Sequence, residues 1–172
     1  MPSGALRRGN PRCWVSPWVV IARAKSVKSD TCLTCEVEWN CIVTTGSPLH
    51  THHVLDLARF QNLRLRGGFT LAEVRLTAQP LLDPLDRAAS AQTIIRGTRF
   101  HILLRADLDE RELSVSLYHE VLEAATVAAD YPPESVVEFN EGAFEREAQA
   151  AQARAGIASP ESLNQMLAEF GF

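Results

Sequence analysis

The chain has no apolar run that approaches the roughly 20 residues needed to span a bilayer, so no membrane-crossing helix is expected from it. It has no internal repeat and no low-complexity tract, which argues against solenoid and fibrous architectures. It lacks a strong charge of either sign. A net charge of −4 gives no general reason to expect nucleic acid as a partner, and neither a helix-turn-helix pattern nor basic residues interleaved with aromatics stand out. Cysteine and tryptophan are absent after residue 41: Cys13, Cys32, Cys35 and Cys41, and Trp14, Trp18 and Trp39, all precede that point.

What is present suits a single soluble domain. The chain has 172 residues, 46% apolar and 22% charged. Its charge is unevenly spread. Residues 1–66 hold nine Lys/Arg against four Asp/Glu, whereas residues 67–172 hold eight against seventeen. An acidic surround favours binding a cation and disfavours phosphate.

The first 45 residues show little periodicity and are interrupted by Pro2, Pro11 and Pro17. They are expected to form a poorly ordered or atypical N-terminal extension, with the folded domain at 46–172. Arg7, Arg8 and Arg12 before Trp14–Ala22, with Ala22-Arg23-Ala24 after it, imitate a secretory signal. The apolar stretch is short and contains Ser16 and Pro17, so a cytoplasmic location is expected. Cys32 and Cys35 form a C-x2-C pair, but Cys41 stands alone rather than in a second close pair. A structural zinc site, a disulfide and simple reduced thiols all remain open, the last favoured. His50, His52 and His53 suit an exposed helix start, with Thr51 as its cap.

Beyond residue 50, the spacing of Val54, Leu55, Leu57, Ala58, Phe60, Leu63 and Leu65 predicts an amphipathic helix over 52–65, closed by Gly67-Gly68. Residues 69–79 read as extended, and Pro80 and Pro84 bracket a loop. Residues 92–96 form a short β-branched run ended by Gly97. Residues 98–105 are the clearest strand, with Phe100, Ile102, Leu103 and Leu104 suggesting burial on both faces. His101 falls there as a packed or edge histidine. A helix follows from about Glu110 to Ala129, its acidic start near the positive dipole end, stopped by Pro132-Pro133. A second is expected over 135–154, strongest after Glu141 and ended by Gly156. Ser159-Pro160 opens a last one.

The stretch richest in chemistry is Leu117-Tyr118-His119-Glu120-Val121-Leu122-Glu123-Ala124. On a helix, His119 and Glu123 share a face, and Glu120 points about 100° around the axis. This is the layout of a zinc-peptidase helix, His-Glu-x-x-His, with Glu123 where the second histidine belongs. Such a site needs three protein ligands and a carboxylate to take a proton from water. His119 and Glu123 would supply two ligands and Glu120 the base. Glu138, Glu141, Glu145 and Glu147 on the following helix are available as the third. A lone His-Glu pair on a helix is also common without a metal, with Tyr118 and Leu122 then simply core.

The order of strand (100–105), acidic turn (Ala106-Asp107-Leu108), His-Glu helix and then Glu145-Arg146-Glu147-Ala148-Gln149-Ala150-Ala151 resembles the ImmA/IrrE family of zincin-like metallopeptidases. The resemblance covers about residues 52–154. It implies an α+β fold of zincin type: a small three- or four-stranded sheet packed against a metal-site helix and a following antiparallel helix. It implies His119 and Glu145 as metal ligands and Glu120 as general base. Gln149 stands where the family has asparagine, and Glu123 where it has histidine. Zinc is the expected ion, with manganese or iron as alternatives better suited to oxygen donors. Two carboxylates would weaken zinc's pull on water and slow hydrolysis, and the metal could be lost altogether. The implied function is a divalent-metal-dependent hydrolase acting on a protein partner such as a repressor or antitoxin. The alternative is a catalytically inactive relative serving as a protein-binding module.

Overall fold

The computed structural model of the chain describes residues 19–24 (as backbone), 55–83 and 85–172. All four cysteines and His50, His52 and His53 lie outside the described residues. Among the described residues the architecture is α+β: a mixed sheet with one helix packed on a face of it and two further helices packed on that helix. The strands are β1 (Val19–Ala24), β2 (Leu63–Arg64), β3 (Thr70–Thr77), β4 (Leu81–Leu82), β5 (Ala88–Arg96) and β6 (Arg99–Arg105). Five run in the order β1-β5-β6-β3-β2, and β4 pairs with the start of β5, giving six where three or four were expected. Among the described residues, only β3 and β6 pair in parallel. β5 and β6 form a hairpin whose turn begins at Gly97, with φ +60°, a conformation that favours glycine.

β5 and β6 set the floor of the molecule. Ala91, Thr93 and Ile95 lie opposite Leu104, Ile102 and Phe100, and all six are buried. That row alternates with partly exposed Gln92, Ile94, His101 and Leu103. One face is therefore sealed, and the expected burial of β6 on both faces is not found. His101 sits on the outer face, its Nδ1 3.1 Å from Glu73 Oε1 on β3.

The helices are α1 (Glu110–Ala128), α2 (Glu141–Ala155) and α3 (Pro160–Glu169). The expected helix over 52–65 is absent from its described part. There the chain makes a one-turn 3-10 helix at Leu57–Phe60 and then β2. α2 starts six residues later than expected, because Asn140 caps it by accepting from the Ala143 N–H. Residues 134–138 form turns instead.

α1 is fixed at its start by a capping box. The Asp109 carboxylate accepts from the Glu112 N–H at 2.7 Å, and Glu112 accepts from the Asp109 N–H at 3.2 Å. Asp109→Ala is expected to cost about 1 kcal/mol. For a chain of this size that lowers the melting temperature by roughly 2–4 °C, readable by circular dichroism.

Candidate metal centre

α1 is the central helix, buried against β5 and β6 below and against α2 and α3 at its sides. Leu117, Tyr118, Val121, Leu122, Ala124 and Ala125 are all fully buried. Tyr118 Oη donates to Ser162 Oγ at 2.7 Å, tying α1 to the start of α3. α2 lies antiparallel to α1, as the bond from Arg111 at the head of α1 to Gln152 near the tail of α2 shows. Buried Ala148 and Ala151 on α2 allow the two helices close approach. His119 and Glu123, four apart on α1, thereby face Glu141 and Glu145, four apart on α2.

The His119 ring is fully buried among these carboxylates. Its Nε2 lies 3.4 Å from Glu123 Oε2 and 3.5 Å from Glu141 Oε1. Its Nδ1 lies 3.6 Å from Glu145 Oε2. Neither ring nitrogen makes a hydrogen bond, and these separations exceed the usual 2.7–3.2 Å range. They are ion-pair separations, and they would also admit a shared cation. Two donor atoms about 2.0–2.2 Å from one tetrahedral ion stand roughly 3.3 Å apart. Donor atoms of His119, Glu123 and Glu141 all fall within 4.8 Å of one another. A buried imidazole beside carboxylates, with nitrogens not hydrogen-bonded, fits a divalent ion.

The electrostatics of the empty site centre on the proton of His119. Burial pulls the His119 pKa down, but Glu123, Glu141 and Glu145 facing the ring, with the charge of Glu120, outweigh it and push it up to about 11. In the empty site the carboxylates hold the ring as an imidazolium, and a cation at Nε2 would have to displace that proton.

The structure thus brings three of the proposed residues together and distributes them differently from the expectation. Glu141, not Glu145, joins Glu123 on the Nε2 side. Glu145 stands at the other ring nitrogen. Glu138 is exposed, and Glu147 is not in the cluster. Glu120 is wholly buried between α1 and β5, where its Oε2 accepts from Thr93 Oγ1 at 2.7 Å. Thr93 carried no signal beyond being the one polar residue on the inner face of an apolar strand. Phe144 packs near the His119 ring at 5.9 Å between centroids, and Phe139 packs on Phe144. A cavity of about 490 Å³ near Asp56, Arg59 and Gly156 includes none of these residues. No family model, no curated protein and no solved structure matches the chain.

Proposed function

We propose that His119, Glu123 and Glu141 hold a divalent cation, and that the chain is a metallopeptidase-like, metal-dependent hydrolase of zincin-like fold acting on a protein partner. The supporting observation is His119 Nε2 at 3.4 and 3.5 Å from two carboxylate oxygens, in a pocket that excludes water from the imidazole. A bound cation would act as a Lewis acid on a carbonyl and lower the pKa of water. The chain itself supplies the rest. Glu120, adjacent to His119 and oriented by Thr93, takes the proton. Phe144 and Phe139 close the inner wall. Glu141, 57% exposed by its side chain, marks the side from which substrate arrives. The resemblance drawn from the motifs makes a repressor or antitoxin the partner, and zinc the first ion to test, ahead of manganese and iron.

One observation favours a second reading, a non-catalytic protein-binding module on the same scaffold. Glu120 is fully buried and engaged by Thr93, so it reaches substrate only if the site opens.

The test is metal analysis of the untagged full chain after incubation with zinc, manganese or iron(II) and desalting. One equivalent of a divalent ion is expected, retained in Glu147→Ala and lost in Glu141→Ala. Absence of any bound divalent ion from the unsubstituted chain would sink the proposal.

A further inference from the structure

We infer that Glu145 is not a metal ligand but the positioning carboxylate of His119, held in place by Gln149; this rests on the metal reading above. Three observations carry it. His119 presents its two nitrogens to different acids: Nε2 to Glu123 and Glu141, Nδ1 to Glu145. The other Glu145 oxygen, Oε1, accepts from Gln149 Nε2 at 2.7 Å, one turn along α2. Donor atoms from His119, Glu123 and Glu141 fall within one small sphere, and Glu145 is not among them.

The chemistry follows from the two faces of an imidazole. A neutral ring carries one N–H, and the nitrogen that binds a cation must be the bare one. A carboxylate at Nδ1 holds the proton there, leaves Nε2 bare and makes it a stronger donor. Glu145 Oε2 stands 3.6 Å from Nδ1, an ion-pair separation that a small shift of the carboxylate would close to a hydrogen bond, and its Oε1 accepts from the Gln149 amide. The line Gln149–Glu145–His119 therefore orients the ring toward Glu123 and Glu141. Glu145 and Glu141 lie on one helix face, so α2 supplies both a ligand and the group that aims the ligand across from it.

The test uses Co²⁺ as probe, because its visible absorption reports the donor set separately from affinity. Full-length wild type, Glu141→Ala, Glu145→Ala, Glu145→Gln and Gln149→Ala are titrated after cooperative melting of each is verified. Glu145→Ala should keep one equivalent and an unchanged band shape, with affinity down about 10–100-fold. Glu145→Gln, whose amide oxygen still accepts from Nδ1–H, should recover most of that loss. Gln149→Ala should weaken binding in the same sense by a smaller factor. Glu141→Ala should lose the band. The inference is overturned if Glu145→Gln alters the band shape or loses the equivalent, as a ligand would, or if Glu145→Ala binds as tightly as wild type. No Co²⁺ binding by wild type would instead overturn the metal reading itself.

Discussion

Replacing His119 with alanine is expected to abolish cation binding and to destabilise the chain by about 3–5 kcal/mol near pH 6, the cost of removing one partner from a buried charged cluster. The substitution removes the imidazolium that Glu123, Glu141, Glu145 and Glu120 act on, at a fully buried position of α1. The loss has a definite pH signature when a chelator keeps the site empty. The folded-state pKa of His119 is raised from 6.5 to about 11. A raised basic pKa means that the folded state holds the proton more tightly than the unfolded chain does. The stabilisation is therefore complete below about pH 6.5 and is lost as pH climbs toward 11. Urea midpoints of wild type and variant should be farthest apart at pH 6 and draw together steadily as pH rises toward 11. With zinc present the trend should invert for wild type, because the donor nitrogen must first shed its proton. The zinc-induced rise in melting temperature should then grow over the same pH range. A constant gap from pH 6 to 10 in chelator would contradict the charged cluster on which both arguments stand.

Local signals made the site helix and its neighbours readable. Asp109 and Glu112 announce the start of α1, Pro132-Pro133 its limit, and Ser159-Pro160 the start of α3. Each acts within a turn of the residue it controls. The strands that escaped notice had no such signal. β2 and β4 are two residues each, too short for any period, and β1 lies where the sequence shows little alternation. The apolar spacing over 54–65 suits a helix. From Leu55 on, though, those side chains pack as a 3-10 turn and a strand, with Leu55, Phe60 and Leu65 all in the core. Tertiary burial outweighed periodicity there. In the site, the His119–Glu123 pair could be read from a spacing of four. The choice between Glu141 and Glu145 could not, since both share one face of α2. It depends on how far α2 slides along α1, a matter of tertiary packing at buried residues such as Ala148 and Ala151. Thr93 reaches Glu120 across 27 residues of sequence, a distance at which no local pattern speaks.

Glu123→His should raise zinc affinity by at least tenfold, about 1.4 kcal/mol, and lower affinity for manganese. Glu123 sits on the same α1 face as His119, with its side chain only 16% exposed, so an imidazole at that place reaches the same point. Two effects add. Imidazole is a softer donor than carboxylate and suits zinc, whereas manganese prefers oxygen. Removing one acid also loosens the proton on His119, which otherwise competes with the ion for Nε2. The zinc-to-manganese preference, measured by competition against a chelating dye, should therefore rise more than either affinity changes alone. An unchanged preference would remove Glu123 from the ligand set. The same variant separates the two functional readings. If Glu120 can reach a water beside the ion, the zinc-loaded variant should cleave an unfolded protein substrate faster than wild type, and Glu120→Gln in that background should remove the gain. A variant that takes up zinc tightly and cleaves nothing would mean that the Thr93–Glu120 contact keeps the carboxylate out of the reaction. The molecule would then use its metal to clasp α2 against α1, and its task would be binding.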